Sequence, residues 1–353
     1  MGEKVRTARN AGLYDENNRT YQSFVKKARE AYDQREALKT DDDCPNGIVV
    51  IPIAFHIFHE SGAAIGTQHN FSLVELNELV GSLNADFGGY NTNKEQILEC
   101  FQDVDAYNTC IQYCIGKINR IDITTCSACP GGANCDENAL FNCSQDAPND
   151  YLNIYSAQFG GGLLGVASSI PFPGNPFGAC IENNDGVYVD WNSFNVGPPA
   201  NAPYDGGKTL THEIGHWLGL YHIGGDGNCN ADDGLADTPV QNGQNMGCPV
   251  GANSCNTAGA DKPDMYFNHM DYSNDACLAM FTKDQAAIMQ AVLGYGNISG
   301  IPAPAGCRAM LASSSQRGNC DNSLLSLDNS PLAANTETIN LTDCSTESSI
   351  DLL

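Results

Sequence analysis

Apolar positions recur along this chain with two different periods, and the changes of period mark its elements. A nearly continuous β-branched run over 48–58, IVVIPIAFHIF, predicts a strand buried on both faces. Shorter runs over 151–157 and 186–191 read as further strands. Between the first two, Ser72 with Glu75 forms a capping-box signature, and Val74, Leu76, Leu79, Val80 and Leu83 fall on one face, predicting a helix over 72–88. Residues 208–220 alternate at helical period, and Thr282 with Gln285 opens a second capping box for a helix ending near Leu293. Upstream, Tyr21, Phe24, Val25, Ala28 and Tyr32 stand at helical spacing among charged residues, an amphipathic helix that precedes the acidic break at Asp41–Asp43. Strands interleaved with helices imply an α/β or α+β chain.

Composition divides the 353 residues into three parts. Residues 1–43 are an N-terminal extension, 44–300 a main domain whose cysteine-rich stretch at about 98–146 reads as a disulfide-stapled irregular insertion, and 301–353 a Ser/Asn/Thr-rich tail without periodicity. The charge is equally uneven. Of the 17 basic residues, nine lie in 1–43, where nine acidic residues balance them, so the net −25 belongs to 44–353. So acidic a surface repels phosphate backbones and anionic lipid, which argues against nucleic acid and membrane partners. The longest apolar stretch, 47–58, is far below the roughly 18 residues of a membrane span. Sixteen cysteines point to disulfides formed in an oxidising, extracellular setting, although the opening MGEKVRTARN carries no apolar secretory segment.

The segment THEIGHWLGLYH, 211–222, carries the chemistry. His212 and His216 stand four apart, so on a helix both imidazoles leave one face and can reach one cation. Glu213 can then set its carboxylate beside a metal-bound water rather than on the metal. Gly219 can take a positive φ and turn the chain so that His222 approaches the same ion. Three neutral imidazoles with an open fourth position describe a catalytic zinc site.

This motif resembles that of the metzincin zinc endopeptidases. With GLADTP at 234–239, MDYS at 270–273, Cys277 and FTKDQ at 281–285, it is similar to the pappalysin family in particular. IPIAFHIFHE, YLNIYSAQFGGGLLG and DGVYVDWNSF extend the likeness over about 44–296, the insertion matching poorly. The resemblance implies an α+β metzincin-like fold: a twisted mixed five-stranded sheet with a backing helix and an active-site helix, above an irregular lower subdomain that ends in a helix. It implies a secreted zinc-dependent endopeptidase acting on protein or peptide substrates, with Glu213 as general base and acid, Tyr272 as a hydrogen-bond donor to the developing oxyanion, and Met270 as a packing floor under the zinc. An alternative from another class is a catalytically silent, metal-stabilised extracellular binding module.

Beyond the zinc motif, carboxylates converge after His222, where they repel unless solvated or bridged by a hard cation. The family likeness makes Asp233, Asp237 and Thr238 candidates for calcium. It also implies the bridges Cys229–Cys255 and Cys248–Cys277. Cys126, Cys129, Cys135 and Cys143 fit no common zinc spacing and read as disulfides. His56 and His59 read as structural, His69 stands before a helix with no partner nearby in sequence, and His269 is not read as a ligand. Gly160, Gly162 and Gly165 satisfy a dinucleotide-binding pattern, but Pro171 and Pro173 forbid the helix it needs, so the segment reads as an edge strand. The extension 1–43 could form a latency segment across the cleft; with no cysteine before Cys44, a carboxylate or steric cover would have to block the zinc.

Overall fold

The computed structural model describes residues 14–37, 44, 47–168, 184–198, 200–225, 227–255 and 262–294. The tail past 301, the acidic break at 41–43 and the two prolines at 171 and 173 lie outside them.

Strand β1, Val49–His59, is buried along nearly its whole length, as its unbroken apolar run requires of a central strand. It pairs in parallel with β2, Ile111–Asp122, on one side and with β3, Leu152–Ala157, on the other. Beyond β3 lie β5, Val187–Asp190, also parallel, and finally β4, Gly165–Ala167, antiparallel at the edge. The order β2-β1-β3-β5-β4 is the mixed five-stranded sheet expected. The segment with the nucleotide-like glycines thus ends in an edge strand rather than opening a helix.

Helix α2, Leu73–Gly88, begins at the Ser72/Glu75 capping box and ends at Gly89 in the left-handed region. Leu76, Leu79, Val80 and Leu83 are buried as the periodicity requires, but Val74, in the first turn, is 37% exposed. Helix α3, Lys208–Trp217, packs on α2 and on strands β4 and β5 and is buried throughout. Helix α4, Lys283–Val292, closes the chain behind the Thr282/Gln285 capping box. The N-terminal helix α1, Tyr14–Glu36, buries Tyr21, Phe24, Val25, Ala28 and Tyr32, the side of it that meets α4. Between α3 and α4 the described residues are irregular, as the lower subdomain was expected to be.

Disulfides staple these irregular parts. Cys229–Cys255 and Cys248–Cys277 join the segments around the histidine motif, and Cys126–Cys143 and Cys129–Cys135 close the insertion. Cys44–Cys110 fastens the start of the main domain to the head of β2. The insertion is also pinned to the sheet through His56. Its Nε2 lies 2.8 Å from Asn153 Oδ1 and its Nδ1 2.7 Å from the Ser144 hydroxyl, while the ring stacks on Tyr155 at 4.5 Å. His69 stacks on Trp191 at 4.1 Å and meets Glu60 at 3.0 Å, and His59 meets the Glu60 carbonyl. None of these three histidines belongs to the group formed by His212, His216 and His222.

Candidate metal centre

Helix α3 presents His212 and His216 one turn apart, and the chain leaves the helix at Gly219, whose φ of +100° would be strained for other residues. The turn carries His222 back to the same point. The Nε2 atoms of the three rings stand 3.1 Å (His212–His216), 3.1 Å (His212–His222) and 2.9 Å (His216–His222) apart. A tetrahedral zinc with bonds of ~2.0–2.1 Å needs ligand nitrogens separated by roughly 3.3 Å, so this donor set fits one such ion. Among the described residues it is the one group of three or more His, Cys, Asp or Glu gathered closely enough to hold a metal.

The outer nitrogens fix the rings. His212 Nδ1–H donates to the His269 carbonyl at 2.7 Å, and His216 Nδ1–H donates to the Leu220 carbonyl at 2.7 Å. Each bond selects the tautomer that leaves the Nε2 lone pair free for a cation. Burial, reinforced by the neighbouring His222 and His212, holds His216 well below its ordinary pKa and therefore neutral.

Glu213 follows His212 on α3 and is buried. Its carboxylate accepts a hydrogen bond from the Ala167 backbone N–H of edge strand β4, and burial pushes it up to about 8. A divalent charge among the histidines acts in the opposite direction, favouring the ionised form. Met270 is fully buried beneath α3, and a Cβ at Gly215 would collide with its sulfur. Tyr272 is 39% exposed, with its ring 5.6 Å from that of His212 and 4.8 Å from that of His222. Both residues therefore border the histidine set. His269 contributes its carbonyl, while its ring lies buried outside the cluster.

The acidic loop is less uniform than its composition. Asp233 Oδ1 accepts from the Thr238 hydroxyl at 2.7 Å and from Leu235 N–H at 3.1 Å, and its Oδ2 is buried without a hydrogen-bond partner. Asp237 turns instead to the head of α4, accepting from the Thr282 hydroxyl and Asp284 N–H, with Arg29 of α1 at 3.6 Å. The structure thus brings Asp233 and Thr238 together and directs Asp237 elsewhere.

Three contributors escape a sequence reading. Ala167 acts through its backbone. Asp271 holds the loop beneath Tyr272, accepting from Gln241, from Asn245 and from Tyr272 N–H. Asp275 caps α3, accepting from Gly206 and Lys208 N–H at 2.7 and 3.2 Å. The signal for Asp275 is its place just past the MDYS turn, which means nothing until the turn is seen against the helix.

Comparison with known proteins agrees with this geometry. Residues 134–294 match the peptidase M43 family, described as pregnancy-associated plasma protein-A. That stretch contains the histidines, Glu213 and the Met270 turn together. Over residues 134–294 the chain is similar to the pappalysin family. The chain is 41% identical over 142 residues to extracellular metalloprotease 1 of Coccidioides posadasii, covering 40% of this chain and 49% of the relative. It is 37% identical over 155 residues to an extracellular metalloprotease of Colletotrichum graminicola, covering 44% and 53%. The chain therefore spans about half the length of the curated relatives it matches. Mature mirolysin of Tannerella forsythia, solved with a cleaved peptide, superposes with a TM-score of 0.64 at 28% identity, covering 78% of this chain and 100% of that one. A promirolysin mutant from the same organism gives 0.69 at 25% identity, covering 90% and 97%.

Proposed function

We propose that this chain is a secreted, zinc-dependent endopeptidase that hydrolyses peptide bonds in proteins. The observation that carries this reading is the convergence of three Nε2 atoms, with Glu213 beside His212 on the helix that carries two of the three histidines. The relatives' names, extracellular metalloprotease, support both the class of activity and secretion. A zinc ion bound there supplies Lewis acidity, which lowers the pKa of water and polarises a carbonyl.

The chain's own residues do the rest. Glu213, oriented by the Ala167 N–H, accepts the proton of the attacking water and delivers it to the leaving amine. Tyr272 is near enough to the histidine rings for its hydroxyl to donate to the oxyanion. The outer edge of β4, unpaired among the described residues, offers backbone groups to an extended substrate, apart from the Ala167 N–H already used. The buried, unpartnered Oδ2 of Asp233 supports a hard cation such as calcium held by Asp233 and Thr238. Residues 1–43 act as a pro-segment in this reading; the promirolysin mutant covers more of the chain than mature mirolysin does, 90% against 78%.

Glu213→Gln tests the assignment. The variant is expected to bind zinc as the unchanged chain does, and to lose peptide cleavage by several orders of magnitude. Undiminished cleavage would overturn the role of Glu213.

A further inference from the structure

Helix α2 carries a carboxylate on its buried side that its amphipathic pattern does not explain. Asp86 lies between Leu83 and Phe87 with a fully buried side chain. Its Oδ1 accepts from Lys208 Nζ at 2.6 Å and its Oδ2 from the Thr211 hydroxyl at 2.7 Å. The ring of His269, itself completely buried, brings Nε2 to 3.7 Å of Oδ1.

Two of these contacts are on α3, Lys208 at its first position and Thr211 immediately before His212. The third is the residue whose carbonyl takes the Nδ1–H of His212 at 2.7 Å. One carboxylate therefore touches both elements that orient His212, the helix that carries its backbone and the turn that fixes its ring. We propose that Asp86 is a positioning residue of the metal centre, setting the rotation of α3 against the Met270 turn so that the three Nε2 atoms converge.

Burying a carboxylate and an ammonium carries a desolvation penalty for each ion, and an apolar pair of similar volume would pack α2 on α3 at least as stably. What an apolar pair lacks is direction. Two charge-assisted hydrogen bonds at fixed angles specify one relative placement of the helices, where interdigitated leucines tolerate sliding. Outer groups of this kind around metal-ligating histidines typically change metal affinity by 10–100-fold.

The inference rests on the histidine set being the metal centre, and the test separates the two. Zinc affinity is measured by competition with a chromophoric chelator, and stability by thermal unfolding of the zinc-free protein. The proteins are the unchanged full chain, Asp86→Asn, Thr211→Val, and the double variant Asp86→Leu/Lys208→Met.

Asp86→Asn is expected to weaken zinc binding by about 10–100-fold, and Thr211→Val by a smaller factor in the same direction. The double variant leaves no unpaired charge and is expected to regain zinc-free stability while staying weak for zinc. Zinc affinity that returns together with stability in the double variant would reduce Asp86 to a structural ion pair and overturn the proposal. So would an unchanged affinity in Asp86→Asn. If Asp86→Asn does not fold, the double variant decides alone. Failure of the unchanged chain to bind zinc would instead refute the metal-centre reading itself.

Discussion

At Gly165 a Cβ would stand 2.8 Å from Cγ of Glu213 and 3.0 Å from Cγ2 of Thr209, so strand β4 lies against α3 only because this residue has no side chain. Gly165→Ala must move the strand or the carboxylate. Since displacements of ~1 Å at a catalytic group cost up to about 100-fold, steady-state kinetics should show kcat reduced roughly 10- to 100-fold with circular dichroism unchanged. An unaltered kcat would mean that the strand yields freely. Gly215 faces the sulfur of Met270 in the same way. Gly215→Ala is expected to lower the free energy of unfolding by about 1–3 kcal/mol through overpacking, read from urea denaturation. The three clustered histidines and Glu213 were legible because their spacing, four residues and then a glycine turn, is local to one helix and the turn that follows it. Asp86 was not. Its partners Lys208 and Thr211 come from more than a hundred residues away, and on the sequence it is one charged position in a mostly apolar stripe.

Among the elements, the helices with capping boxes fall where the sequence places them, because each cap is satisfied within four residues. Strands β1, β3 and β5 fall on the apolar runs, and β1 sits in the middle of the sheet because its run is apolar on both faces, whereas β2, Ile111–Asp122, is a regular strand inside the cysteine-rich stretch whose composition reads as irregular. The seat of α1 was beyond such reasoning. Its apolar stripe said that it packs, and the structure supplies what it packs on: Tyr21 meets the ring of Tyr221 at 4.9 Å, Gln22 donates to the Gly234 carbonyl at 3.0 Å, and Arg29 pairs with Asp284. Arg29 thus lies between two buried carboxylates, since Asp237 is its neighbour as well. Burial and the charge of Asp284 push Asp237 up to about 7, so removing the guanidinium leaves the pair without a compensating cation. Arg29→Ala should cost about 1–3 kcal/mol of stability, measured by urea unfolding at neutral pH. No change would show α1 to be held by its apolar side alone. The Cys248–Cys277 bridge spans 29 residues, and replacing both cysteines with serine should cost about 3–4 kcal/mol by the loop-closure model.

For the whole molecule, His56, buried where the sheet meets Ser144 and Asn153, ties stability to pH. Burial lowers His56 to about 4, against an ordinary value of 6.5. Between those values the unfolded chain binds more protons than the folded one, so this group's contribution is complete above pH 6.5 and is lost as pH falls toward 4. Urea midpoints of the full chain should therefore rise with pH across that window, and His56→Asn should flatten the rise. An identical slope in the variant would remove His56 from the pH response. The acidic balance of 44–353 and the cysteine pairing were both legible from composition; which cysteines join was read only through family likeness for Cys229–Cys255 and Cys248–Cys277.

The most direct measurement is digestion of a peptide library by the purified chain, before and after limited proteolysis of its N-terminal segment, with product ends read by mass spectrometry. Internal peptide bonds should be cut, cutting should stop when a chelator strips the metal, and stoichiometric zinc should restore it. Cleavage indifferent to the chelator, or none from a chain that holds one zinc and has shed its N-terminal segment, would contradict a zinc endopeptidase built on His212, His216 and His222.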